Sequence, residues 1–258
     1  MLILLPPSEG KLEPKSGPRL DLSTLAWPEM TPGRRSVLDA LVGLCRSSTG
    51  AARAALGVTE NQSSLVALNA KLHRSPTAPA IDVYSGVLYD ALDFQALPAA
   101  VRARGLKRIA IASALWGLLR LDDRIPAYRF SADSRVPGLA PLTRIWTPLV
   151  GAAISAEQDL IVDMRSGAYE KLAPVPTSCA QRAVNLRILQ EQGGRFVVVS
   201  HHNKATKGRV AAGLLRTTKA PTTVEGLEAA LRLLGYRVME SAPTRAGIRV
   251  LDLVVEQL

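Results

Sequence analysis

Lys204 and Lys207 follow a polar cluster, Ser200, His201, His202 and Asn203, that ends a short apolar run at 196–199. The pattern beyond 203 is helical. At 100° per residue Lys204, Lys207, Ala211, Leu214 and Leu215 share one stripe, while Arg209 and Arg216 lie opposite. Both lysines are therefore predicted to face inward. They also crowd the positive end of the helix dipole, where cations are mildly unfavourable. An anion bound there would offset both costs, and a helix N-terminus already favours one. The spacing predicts an inward-facing phosphate or carboxylate site, the alternative being two lysines that snorkel to solvent.

Other apolar runs end in the same way. Residues 2–5 lead into Ser8 and Lys11, 109–112 into Ser113, and 160–164 into Ser166, followed by Tyr169 and Lys171. In open α/β sheets ligands collect beyond the carboxyl ends of strands. If these runs are parallel neighbours, Ser8, Lys11, Ser113, Ser166, Ser200 and Lys204 converge on one cleft; otherwise the serines only cap the following helices. Arg120 and Arg129, flanking the Pro126 turn, are candidates for the same cleft, since guanidinium suits bidentate phosphate contact. Asp163 sits inside an apolar run, where a carboxylate is either a general base or, more often, a satisfied hydrogen-bond partner.

The elements that must position these groups are legible as periodicities. Strands are expected at 2–5, 109–112, 160–164, 196–199, 236–239 and 248–255, the last as an edge or half-exposed strand because Arg249 interrupts it. Helices are expected at 33–46, 62–73, 98–104, 142–155, 204–216 and 224–234, with Thr223 as an N-terminal cap. Strands interleaved with helices predict an α/β fold: one domain over 1–258, a central mixed sheet surrounded by helices, and a helical N-terminal subdomain at about 31–74.

The 258 residues carry 32 basic and 22 acidic side chains, a formal charge of +10. That balance favours nucleic acid, nucleotides or other phosphates as partners. Cys45 and Cys179 stand in no metal-like spacing and fit a reducing cytoplasm. The start, MLILLPP, lacks the basic region and apolar length of a signal peptide, and no apolar run approaches a membrane span. A cytoplasmic protein without membrane contact is expected. The sequence has no phosphate-binding GxxxxGK[ST] loop, no GxGxxG fingerprint, no GxSxG elbow, and no HExxH or zinc-finger spacing. No metal and no cofactor are expected.

Taken together these segments resemble the YaaA family of peroxide-stress proteins. MLILLPPSEGKL is similar to the family's opening strand and lysine-bearing turn. IDVYSGVLYDAL matches at Tyr84 and Gly86. IASALWGLLRLDDRIPAYRF, the most characteristic stretch, matches at Ser113, Gly117, Leu119, Arg120, Asp122, Pro126, Tyr128 and Arg129. Trp146 corresponds too, as do Ser166, Tyr169 and Lys171 within IVDMRSGAYEKL and Ser200, Lys204, Lys207 and Gly208 within FVVVSHHNKATKGRVAAGLL. The resemblance implies a single-domain α/β fold with a positively charged cleft, binding of duplex and irregular DNA, and protection against hydrogen peroxide by limiting free intracellular iron. This chain departs from the pattern at Pro7-Ser8-Glu9-Gly10, which shifts the lysine along to Lys11, and at Asp163, where Asn is frequent.

Two functions follow. The first is a DNA-binding stress protein whose cations neutralise backbone phosphates. The second is an enzyme acting on a nucleotide, nucleobase or other phosphate-bearing small molecule, with Asp163 or Tyr84 doing acid/base work while lysines and arginines hold the anion.

Overall fold

Leu2–Leu5 and Ile109–Ser113 are buried at every position, as strands covered on both faces must be. The structure is a computed structural model. It describes residues 1–192, 195–197 and 200–255, with only the backbone of 192, 195, 197 and 200–202. Its strands are β1 (Leu2–Leu5), β2 (Ala78–Pro79), β3 (Ile109–Ser113), β4 (Gly117–Leu119), β5 (Arg124–Ile125), β6 (Ile161–Asp163), β7 (Ala183–Gln192), β8 (Arg195–Val197), β9 (Arg237–Ser241) and β10 (Arg249–Val255). Its helices are α1 (Thr31–Ser47), α2 (Thr49–Leu56), α3 (Ser64–Asn69), α4 (Ala80–Val83), α5 (Val87–Leu92), α6 (Ala99–Arg108), α7 (Leu142–Ala156), α8 (Gly167–Leu172), α9 (Ser200–Arg216) and α10 (Val224–Leu233).

The main sheet runs β4-β3-β1-β6-β7-β10-β9, with β8 beside β7. Strands β3, β1, β6, β7 and β10 are mutually parallel, whereas β4, β8 and β9 run against their neighbours. The α/β class with a mixed sheet is as expected. Register matters for the site. Leu5 pairs with Ile111 and Leu4 with Asp163, so the turns leaving β1, β3 and β6 emerge side by side.

Residues 31–74 are helical, in α1, α2, α3 and short 3-10 turns. The expected helix at 62–73 is broken: only Ser64–Asn69 is α-helical, with 3-10 turns on either side. Arg34 of α1 is wholly buried, and its guanidinium donates to the carbonyls of Trp116 (3.0 Å), Leu118 (2.9 Å) and Ala26 (2.7 Å). Gly117, at φ +74°, lets the hairpin into β4 pass under Trp146. A Cβ there would stand 2.7 Å from the indole and 2.8 Å from Met30 sulfur. At the far end of the chain Thr223 caps α10 as expected, accepting from Gly226 N–H at 3.1 Å.

Two expectations need correction. Strand 248–255 is not an edge: β10 lies between β7 and β9, and β9 holds the edge. Arg249 is tolerated because it opens the strand and pairs with Glu240 at 2.7 Å and with Glu225. The strand β7 has no clean apolar pattern, because Asn185, Arg187 and Gln190 break it; Arg187 is neutralised across the ladder by Asp252 at 2.7 and 2.8 Å. Of the run expected at 196–199, residues 198 and 199 lie outside the described residues.

Candidate functional site

The turn after β1 carries the residues from which the site is built. Glu9 points to solvent, and its carboxylate accepts from Arg129 Nη1 at 3.0 Å. That hydrogen bond and the guanidinium charge hold the carboxyl below its usual range. Burial opposes the shift slightly, and Lys204 and Lys11 add to it. Arg129 thus pairs with one exposed carboxylate, and two further basic side chains, Lys204 and Lys11, act on it electrostatically.

Lys11 is placed differently. Its Nζ sits 4.2 Å from the centroid of the Tyr128 ring and 5.2 Å from that of Tyr84, a cation–π geometry. It donates to the carbonyls of Ser8 at 2.8 Å and Glu9 at 3.5 Å. Burial lowers its pKa to about 7; Arg129 adds to the effect and Glu9 opposes it. The backbones of Lys11 and Tyr84 form an isolated bridge, which fixes the turn against the segment before α5.

Beneath the amine runs a chain of hydroxyls. Ser113, last residue of β3, is 2.8 Å from the Tyr128 hydroxyl, which is 2.7 Å from that of Tyr84. Ser113 Oγ also accepts from the backbone N–H groups of Leu115 (3.2 Å) and Trp116 (3.1 Å). Both of its lone pairs are then used, so its one hydrogen goes to Tyr128. Tyr128, accepting that hydrogen, gives its own to Tyr84. In that order Tyr84 accepts from Tyr128, and Ser113, the other hydroxyl within its hydrogen-bonding reach, has both lone pairs occupied. Burial holds Tyr84, Tyr89 and Tyr128 protonated far past neutrality. Tyr89 stacks on Tyr84 (centroids 5.3 Å apart) and donates to Pro6 carbonyl at 2.9 Å. Tyr169, also raised by burial and by Tyr128, approaches from α8. Four of the protein's five tyrosines meet here.

A second cluster adjoins it. Arg165 and Asp163, both nearly inaccessible, pair at 2.9 and 2.7 Å. Lys207 is buried and donates to Arg165 carbonyl at 3.0 Å. Burial lowers its pKa, with Glu170 and Asp163 opposing. Burial and then Asp163 raise the pKa of Glu170, while a hydrogen bond to Asn185 opposes them.

The structure therefore brings together Ser8, Lys11, Tyr84, Ser113, Arg129 and Lys204, with Lys207 behind them. Ser8 Oγ is turned back to Gly10 carbonyl at 2.6 Å. Arg120 is not among them. It lies at the opposite end of β3, donating to the carbonyls of Lys107 (2.9 Å) and Ile109 (3.4 Å), pairing with Glu157 and stacking on Trp27 at 4.4 Å. Asp163 is no free base, because Arg165 engages both of its oxygens. Ser166 is exposed and receives Tyr169 and Glu170 N–H on its carbonyl; Lys171 is exposed. Ser200 opens α9, and its side chain lies outside the described residues. The two lysines of α9 also divide: Lys207 is buried and Lys204 is exposed, so only one faces inward. The roles of Glu9, Tyr89 and Tyr169 were missed. The signal available was that sparse tyrosines recur beside the glycines and lysines of the matching segments. Two hollows, one against α10 and one lined from within residues 132–143 and by Leu172, contain none of these side chains.

Such a sheet, mostly parallel and flanked by helices, defines an α/β protein. The model of the family described as peroxide stress protein YaaA matches residues 1–242, and the chain belongs to that family. It is 41% identical over 249 residues to a UPF0246 protein of Streptomyces coelicolor, covering 96% of this chain and 95% of that one. A UPF0246 protein of Corynebacterium efficiens is 40% identical over 228 residues, 86% and 88% of the two chains. An uncharacterized protein of Campylobacter jejuni is 27% identical over 173 residues, 66% and 70%. Among the described residues no helix is long and apolar enough to cross a membrane.

Proposed function

We propose that this protein acts in peroxide stress by binding duplex DNA, with Arg129 and Lys204, near the carboxyl end of β1, engaging backbone phosphate. The observation that supports this most is the surplus of basic side chains around Glu9: one exposed carboxylate paired with Arg129, with Lys204 and Lys11 close enough to lower its pKa. A phosphate there gains charge-assisted contacts from Arg129 and Lys204 while Glu9 swings into water. The start of the 17-residue helix α9 lies on the same side and adds its dipole. The overall charge of +10 draws a polyanion from a distance. The expected link with free iron draws no support from the geometry: among the described residues no three His, Cys, Asp or Glu gather as a metal site.

The test is a salt titration of duplex affinity. Two phosphate contacts give a slope of log K against log salt of about −1.8, and losing one cation removes about 0.9 of it. Lys204→Ala and Arg129→Ala should each flatten the slope by that amount with little dependence on base sequence. A duplex affinity indifferent to both substitutions refutes the proposal.

A further inference from the structure

Lys11 and Tyr84 have no obvious part in holding DNA phosphate. We propose that they form a carbonyl-binding site: Lys11 Nζ condenses with the aldehyde or ketone of a phosphate-bearing ligand, and the Tyr84 hydroxyl protonates the oxygen that leaves.

The surroundings of the amine suit a nucleophile better than a structural cation. Among the described residues Lys11 has no ion-pair partner, because the nearby Glu9 carboxylate belongs to Arg129. Two carbonyls, Ser8 and Glu9, receive its hydrogens. A neutral amine has two hydrogens and one lone pair, so that pair is left over. Burial and Arg129, which move its titration to about 7, leave a large neutral fraction at physiological pH. The groups facing it are Glu9 on its own turn, Tyr84 before α5, and Tyr128 and Arg129 after β5; Lys204 and Tyr169 stand next beyond Glu9.

The hydroxyl chain supplies the proton. Ser113 donates to Tyr128 and Tyr128 to Tyr84, so the hydrogen of Tyr84 is the one left to give. In the reaction the lone pair of Nζ attacks the carbonyl carbon and a C–N bond forms. The former carbonyl oxygen takes a proton from nitrogen and becomes the hydroxyl of a carbinolamine. That hydroxyl then departs as water with the Tyr84 proton, C=N forms, and the second proton released from nitrogen returns to Tyr84. One carbonyl and one amine become one imine and one water, with no oxidant or reductant. Arg129 and Lys204 would hold the adjacent phosphate. Two sources carry this chemistry: the ring-opened sugar at an abasic position in DNA, which rests on the DNA proposal above, or a free sugar phosphate.

The experiment is reductive trapping. Full-length protein is incubated with an abasic duplex, an intact duplex, or ribose 5-phosphate, reduced with borohydride, and mapped by peptide mass spectrometry. A secondary-amine adduct on Lys11 is expected with the abasic duplex or the sugar phosphate, the arm that reacts naming the source, and none with the intact duplex. Lys11→Arg, which keeps the charge, should abolish the adduct. Tyr84→Phe, which keeps the stacked ring, should slow trapping about 100-fold. The rate should rise with pH to a plateau, half-maximal near 7. Adducts only on other amines, or none from either aldehyde, overturn the inference, as does an unchanged rate in Tyr84→Phe. Affinity for the intact duplex, measured alongside, separates that failure from failure of the DNA proposal.

Discussion

Asp163 and Arg165 face each other across two residues at the end of β6, with Nε–Oδ1 at 2.9 Å and Nη2–Oδ2 at 2.7 Å. Arg165 N–H also donates to Oδ1 at 3.0 Å, and Nη1 reaches Ala173 carbonyl at 2.8 Å. This pair shapes the turn from β6 into α8 and presents the Arg165 carbonyl to Lys207. Asp163→Asn should therefore act on stability: breaking one side of a buried pair leaves a stranded charge and costs about 3–5 kcal/mol. Urea unfolding of the variant checks this. A variant as stable as the parent but inactive would restore Asp163 as a catalytic group.

The pH dependence of Lys11 has a definite sign. Its native pKa, about 7, lies below the ordinary 10.5. Between those values the unfolded chain binds one proton more than the native chain, so from this group stability rises with pH. The cost is full at pH 7 and below and is gone above about 10.5. Lys11→Met should stabilise the protein most near neutrality, and the gain should shrink by pH 9.5. Denaturant midpoints of parent and variant at both values measure it; a gain that grows with pH contradicts the placement of the amine.

Glycines in two helices should respond in opposite directions. A Cβ on Gly208 of α9 would stand 2.2 Å from Leu88 carbonyl and 2.8 Å from Leu92 nitrogen, both backbone atoms of α5. Gly208→Ala should force the helices apart and cost about 1–3 kcal/mol. Gly43 of α1 meets nothing within 4 Å, so Gly43→Ala should gain up to about 1 kcal/mol from helix propensity. Thermal melts of the two variants settle the comparison.

Tyr128→Phe tests the hydroxyl chain. It removes the acceptor of the Ser113 hydrogen and the donor to Tyr84 while sparing the ring beside Trp116, whose centroid is 5.8 Å away. Two buried groups lose a partner, for an expected loss of about 1–3 kcal/mol. Chemical denaturation reads this directly, and an unchanged midpoint would mean the hydroxyls are not joined as described.

Much of the scaffold was legible because its central strands are buried on both faces. β1 and β3 read as short apolar runs, and α1, α7 and α10 as periodic stripes, the last closed by the Thr223 cap. The strand β7 was hidden, since Arg187 is made acceptable by Asp252, a residue 65 positions away. The family likeness was legible too, because matching residues recur in order along the chain.

Local pattern alone determined the excess of positive charge, the alternation of strand and helix, and the basic and hydroxyl groups at strand ends. Those properties depend on near neighbours in the chain. Only the folded arrangement decided that Lys207 is buried while Lys204 meets solvent, that Arg120 lies at the opposite end of β3, and that the hydroxyls of Ser113, Tyr128 and Tyr84 meet. Burial and hydrogen-bond order depend on distances between segments as far apart as the 120 residues between Glu9 and Arg129 and more, and no periodicity encodes those distances.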